Sequence, residues 1–275
     1  MLRIRRILLL PLLLVVALLV ASCGSSGPDG GASTTTPEAE ATPAAETAPA
    51  GAITVAAAAS LTDAFTQIGK DFEAANPGTS VTFTFDSSGT LATQIASGAP
   101  VDAFASADTK NMDAVATDPG IDGTPTVFAR NQLAIVTKPG NPEGISSLAD
   151  LAEAGVVSLC ATDAPCGKFA AQALEEAGVT IPESSVTRGQ NAKATLAAVT
   201  EGDAVAGMVY VTDAQAAGDA VDAVAIPEDQ NVVATYPAGV VEGSDQAELA
   251  QAFVDYLGSD AAQQVLQDAG FLPPP

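Results

Sequence analysis

From Gly51 onward, short apolar runs alternate with segments in which apolar residues recur every three or four positions. Residues 53–57 are apolar apart from Thr54, as expected of a buried strand. Leu61, Phe65, Ile68 and Phe72 follow at helical spacing. The alternation then repeats. Residues 81–85 interleave threonine with bulky apolar residues and lead through Asp86-Ser87-Ser88-Gly89-Thr90 into a helical segment over 91–97. A third strand is predicted within 101–107, with a helix from Asp108 to about Ala116. Further strands are predicted over 130–138, 156–160, 185–188, 205–210, 220–226 and 232–241. Helices are predicted over 147–154, 167–177, 245–257 and 259–269, after Asn191, and from Thr212-Asp213. Strands and helices in this order give an α/β fold with mainly parallel sheets.

The junctions carry the candidate chemistry. Ser60 falls between the first strand and its helix, and Ser60-Leu61-Thr62-Asp63 has the form of an N-terminal cap. The same position, at the carboxyl end of a strand, is where open parallel sheets bind ligands. Free N–H groups at a helix start attract anions. Taken alone, Ser60 reads as a helix cap. Ser87-Ser88 is open in the same way, as turn chemistry or as ligand donors. A third junction runs from the strand over 156–160 through 161–166, with Cys160 and Cys166 at its two ends.

Composition narrows the function classes. The formal charge is −23, and removing Arg3, Arg5 and Arg6 leaves 7 basic against 33 acidic residues, or −26. Such a chain does not suit nucleic acid or an anionic lipid surface. It contains no histidine, which removes the Ser-His and Cys-His nucleophile pairs and makes a zinc site improbable. A serine hydrolase would need a Ser-Lys pair, yet no S-x-x-K occurs around Ser60 or Ser88.

Residues 1–22 read as a secretion signal, with a basic start, an apolar stretch and an early end. They close on Val20-Ala21-Ser22-Cys23-Gly24, which resembles the bacterial lipoprotein signal, with Cys23 as the lipidated residue. After Cys23, residues 24–50 are Gly, Ser, Thr, Pro, Ala and acidic residues, too poor in apolar surface to fold, and 23–50 reads as a disordered tether. Cys160 and Cys166 are then an even pair in an exported chain, either a disulfide closing a small loop or two free thiols.

Several segments together resemble a known family. They are Ala57-Ala58-Ala59-Ser60-Leu61, Phe85-Asp86-Ser87-Ser88-Gly89-Thr90-Leu91, the run from Gly98 to Ala107, Met208-Val209-Tyr210, and Tyr236-Pro237-Ala238-Gly239-Val240-Val241. In this order and spacing the chain is similar, from about 53 to 271, to the molybdate-binding receptors of ABC-type importers. The resemblance implies a two-lobed periplasmic-binding-protein fold (type II) with a ligand cleft and two crossing hinge strands. Lobe one would be 51–132 plus 235–275, and lobe two 133–234. It implies a monomeric, lipid-anchored extracytoplasmic receptor that passes molybdate or tungstate to an importer permease. No catalysis, cofactor or cation ligand is implied. As ligand residues it implies Ser60 and Ser88 through hydroxyl and N–H, Tyr210 through its phenol, and Cys166 and Ala192 through N–H. Where the family often has a serine after Ser88, this chain has Gly89. Without the family, Tyr210 reads as a core or rim residue, and Lys193 as a solvated helix residue outside the site.

The chemistry of that donor set suits the implied ligand. A fully deprotonated tetrahedral dianion has only acceptors, so neutral donors satisfy it. Hydrogen phosphate carries a proton that such a site leaves unpaired, at about 1–3 kcal/mol, provided Asp63, Asp86 and Asp163 point away. The same logic does not separate molybdate from sulfate, so a sulfate receptor is the alternative.

Overall fold

The computed structural model describes residues 49–275. The expected signal peptide, Cys23 and nearly all of the expected tether lie outside the described residues. The strands are β1 Gly51–Ala58, β2 Thr79–Asp86, β3 Ala103–Ala105, β4 Ile121–Thr137, β5 Val157–Cys160, β6 Val186–Gly189, β7 Ala206–Tyr210, β8 Asp222–Ala225 and β9 Val233–Val241. The α-helices are α1 Thr62–Ala75, α2 Ser88–Ala96, α3 Thr109–Val115, α4 Pro165–Glu176, α5 Ala192–Thr200, α6 Val211–Ala217, α7 Ala247–Tyr256 and α8 Asp260–Asp268. Among the described residues, no helix is long and apolar enough to cross a membrane.

The strands run in the order β2-β1-β3-β9-β4-β7-β5-β6, with β8 also paired to β4. Strand β1 is parallel to β2 and β3, and β5 is parallel to β6 and β7. Between these parallel groups lies β4, the longest strand. It pairs antiparallel with β9 as far as Gln132, then with β7 from Leu133. The parallel groups thus share one continuous strand, and the carboxyl ends of β1, β2, β5 and β7 carry the predicted junctions.

β4 is longer than its hydrophobic pattern predicts. The pattern marks only 130–138 because Gly123 and Pro125 interrupt the alternation before it. Pairing with β9 holds the earlier residues, and the ladder shifts register between Asp122 and Thr126, which spans that proline. A proline is tolerated in a sheet at such an irregularity. The helix predicted over 147–154 is only a 3₁₀ turn, Ala149–Ala152. The N–H and hydroxyl groups of Ser146 and Ser147 all donate to one Asp150 carboxylate oxygen at 2.9–3.0 Å. These bonds tie the segment into a turn.

Ala56, Ala57 and Ala58 at the end of β1 are buried, with Ala56 and Ala57 in cores on opposite faces, so helices can lie close to the strand. Phe65 of α1 anchors the packing on one side, with its ring centroid 5.6–6.0 Å from those of Phe83, Phe128 and Phe253. Aromatic pairs at such separations contribute beyond their buried area. This packing fixes the start of α1, and with it Ser60.

Candidate functional site

Six segments distant in sequence meet at one small cavity. Its lining comprises Ala58, Ala59 and Ser60 after β1, and Asp86, Ser87 and Ser88 between β2 and α2. Ala107 follows β3; Pro165 and Cys166 begin α4; Asn191 and Ala192 begin α5; and Tyr210 ends β7. Measured to the centres of water-sized atoms, its volume is about 10 Å³, near the minimum that holds a single water. A space of this size excludes any large ligand.

Ser60, Ser88, Cys166, Ala192 and Tyr210 all line the cavity, and none is more than 6% exposed. Ser60 does not cap α1. It lies in a 3₁₀ turn, Ala59–Leu61, that precedes the helix, and its Oγ is 2.8 Å from the Tyr236 hydroxyl. Ser87 is the cap of α2, its Oγ accepting from the Thr90 N–H at 3.1 Å. Ser88 is thereby the first helical residue. Its Oγ accepts from the Ala107 N–H at 2.9 Å, which leaves the Ser88 hydrogen for another acceptor.

The second group of helices is built in the same manner. Asn191 caps α5, its Oδ1 accepting from the Ala194 N–H at 3.0 Å, and this sets Ala192 at the first helical position. Pro165 opens α4, where a missing N–H is harmless, and Cys166 comes next. Cys166 is bonded to Cys160 through a 2.10 Å S–S bond, so the helix start is tied to the end of β5. Gly167 has no room for a side chain, because a Cβ would collide with the Ala161 carbonyl oxygen. Gly89 is confined too: a Cβ there would lie 3.2 Å from the Asp163 carbonyl oxygen.

Helices α2, α4 and α5, and the turn leading into α1, start at the cavity. First-turn N–H groups have no intrahelical acceptor, and helix N-termini carry partial positive charge. No lysine or arginine is among the lining residues. Lys193 is engaged elsewhere, 2.6 Å from Asp63 Oδ2 and 3.7 Å from Asp213 Oδ1. Asp63 and Asp163 are outside the lining, whereas Asp86 is part of it. Asp86 Oδ1 accepts from the Ser87 N–H at 2.7 Å and from Asn191 Nδ2 at 3.0 Å.

Two buried groups near the cavity are electrostatically unusual. The Tyr210 hydroxyl is buried and makes no hydrogen bond of good geometry, although the Tyr236 phenol is near enough to interact with it. Burial raises its pKa well above the ordinary phenol range, and the neighbouring Tyr236 phenol adds to the effect. Asp213, at the start of α6, accepts from the Tyr210 N–H at 3.3 Å. Burial pushes the Asp213 carboxyl up to about 6, opposed chiefly by the Lys193 ammonium.

The site is equipped to bind. The oxygens of Ser60 and Ser88 meet a phenol and a backbone N–H, neither of which is a general base at neutral pH. Among the described residues, no group of three or more Cys, Asp or Glu side chains is placed to hold a metal ion. What converges here is a set of neutral donors, with the Asp86 carboxylate beside them engaged by the Ser87 N–H and Asn191 Nδ2.

Sequence reasoning did not find Tyr236, which is 176 residues from Ser60. It also missed the lining roles of Asp86, Ala107, Pro165 and Asn191. For Tyr236 no local signal exists, since its contact with Ser60 arises only when β9 packs beside β3. Asn191 was placed immediately before a predicted helix, and its place in the lining follows from that position.

Residues 53–272 match the family described as bacterial extracellular solute-binding protein. The molybdate-binding protein ModA of Mycobacterium tuberculosis (strain ATCC 25618 / H37Rv) is 40% identical over 265 residues, 95% of this chain and 97% of that protein. Among solved structures, the periplasmic molybdate-binding protein of Azotobacter vinelandii aligns with a TM-score of 0.74 at 20% identity. It covers 81% of this chain and 100% of its own. The sulfate-binding protein SubI from Mycobacterium tuberculosis H37Rv aligns with a TM-score of 0.71 at 21% identity, over 81% of this chain and 86% of its own. The two structures share the fold.

Proposed function

The chain belongs to the bacterial extracellular solute-binding protein family, and from that premise we propose that it captures molybdate outside the cytoplasm and delivers it to an ABC-type importer. The observation that carries this reading is the buried Tyr210 hydroxyl with no hydrogen-bond partner, on a residue that lines the cavity with the donor residues Ser60, Ser88, Cys166 and Ala192. An unpaired buried hydroxyl costs about 1–3 kcal/mol, and an oxyanion in the cavity supplies the missing acceptor. Ser60 and Ser88 would each give a hydroxyl and an N–H, Cys166 and Ala192 an N–H, and Tyr210 its phenol. These donors exceed the four oxygens of a tetrahedral anion, and hydrogen bonds to a charged group contribute about 1.5–3 kcal/mol each. The extensive identity to the mycobacterial molybdate-binding protein favours molybdate over sulfate. Tungstate has the same shape and charge and should bind as well.

Two mobile lobes, 51–132 plus 235–275 and 133–234, would close over the anion. The change of partner along β4 at Gln132 and Leu133 supports a hinge there. Lipid attachment at Cys23, with residues 23–50 as a tether, would keep the receptor beside its permease. Calorimetric titration of the purified protein with molybdate, tungstate, sulfate and phosphate tests the reading. Tight 1:1 binding of molybdate and tungstate, with sulfate and phosphate far weaker, is expected. Tighter binding of sulfate would reassign the ligand, and no binding of any of them would refute the reading.

A further inference from the structure

We propose that Tyr236 is a positioning residue that commits the Ser60 hydroxyl to donate into the cavity. The inference rests on the oxyanion reading of the site. Tyr236 is absent from the cavity lining, fully buried on β9, and its hydroxyl lies 2.8 Å from Ser60 Oγ. One hydrogen lies between these oxygens and either can provide it, while the Asn131 side chain and the Tyr210 phenol also act on the Tyr236 hydroxyl. If Ser60 gave its hydrogen to Tyr236, its lone pairs would face the ligand, and two acceptors would oppose each other in a buried space. If Tyr236 donates to Ser60, the Ser60 hydrogen is left for the anion. An oxyanion in the cavity therefore selects the second arrangement.

The neighbourhood of Tyr236 keeps its hydrogen available. Burial holds its phenol above the ordinary range, so it carries its hydrogen at neutral pH. Ser88 is handled alike, with a backbone donor in place of a phenol: the Ala107 N–H occupies its oxygen. In this arrangement Ser60 and Ser88 each have one donor behind them and one hydrogen in front. In a hydrogen-bonded chain each bond polarises the next, so Tyr236 strengthens the Ser60 bond without touching the ligand.

The test is a double-mutant cycle on molybdate affinity with Tyr236→Phe and Ser60→Ala, each variant also melted without ligand to confirm folding. Tyr236→Phe should weaken binding about tenfold in the native background, the scale of one hydrogen bond. With Ser60→Ala already present it should weaken binding by less than about twofold, because coupled groups are non-additive. Equal losses in both backgrounds, or none in either, would overturn the proposal. If the native protein fails to bind molybdate, the functional reading itself falls before the cycle begins. A neutron structure of the molybdate complex provides a second, mutation-free test. Deuterium attached to Tyr236 Oη and directed at Ser60 supports the proposal, and deuterium attached to Ser60 and directed at Tyr236 overturns it.

Discussion

Replacing Tyr210 with phenylalanine should move stability and affinity in opposite directions. In the ligand-free protein the Tyr210 hydroxyl is buried and unpaired. Its removal takes away a desolvation penalty of about 1–3 kcal/mol and leaves the ring packed 6.0 Å from that of Tyr236. In a chain of this size 1 kcal/mol shifts the melting temperature by about 2–4 °C, so Tyr210→Phe should melt at least about 2 °C higher without ligand. With molybdate the sign reverses. The variant loses one hydrogen bond to a charged group, about 1.5–3 kcal/mol, or roughly 10- to 150-fold in affinity. Calorimetric unfolding without ligand and titration with molybdate measure the two effects on one preparation. A variant that melts lower without ligand, or binds molybdate as tightly as the native protein, would refute the assignment of Tyr210 as an unpaired donor.

Other consequences follow from the same geometry. Asp213 holds its proton more tightly folded, at about 6, than unfolded, at about 3.9. Its contribution to stability is therefore complete below about pH 4 and lost as pH rises through 6, by about 3 kcal/mol at roughly 1.4 kcal/mol per unit. Asp213→Asn should flatten that part of the stability–pH curve in denaturant titrations, and an unchanged slope would contradict the buried-carboxylate account. Replacing Cys160 and Cys166 together with serine should lower stability by about 2 kcal/mol for so short a loop and weaken molybdate binding. A reductant should reproduce both effects in the native protein and leave the variant unaffected. Gly167→Ala forces a Cβ against the Ala161 carbonyl and should destabilise the fold by on the order of 1–3 kcal/mol, measured by chemical unfolding, while weakening molybdate binding by displacing Cys166.

The sequence made some of this legible and hid the rest for physical reasons. Strand–turn–helix junctions are local, so hydrophobic periodicity and the capping residues Ser87 and Asn191 marked where donors would gather. Ser60 was read correctly as a residue at a strand–helix junction, but its cap-like motif misstated its partner. The hydroxyl bonds to Tyr236 across the sheet, and no spacing rule reports a contact between residues so far apart. β4 was foreseen at half its length because its first half exists only through pairing with β9. The turn at Ala149–Ala152 was read as a helix because periodicity cannot register a carboxylate that gathers four donors. The unpaired Tyr210 hydroxyl could emerge only from three-dimensional packing.

The central claim is that an oxyanion sits in the cavity between Ser60, Ser88, Cys166, Ala192 and Tyr210. The most direct measurement is an anomalous difference map at the molybdenum edge from crystals grown with molybdate. The account predicts one strong peak inside that cavity, with the Tyr210 and Ser60 hydroxyls and the Ser88 N–H all within hydrogen-bond distance of its oxygens. A peak elsewhere on the protein, or a cavity that remains empty at saturating molybdate, would contradict it.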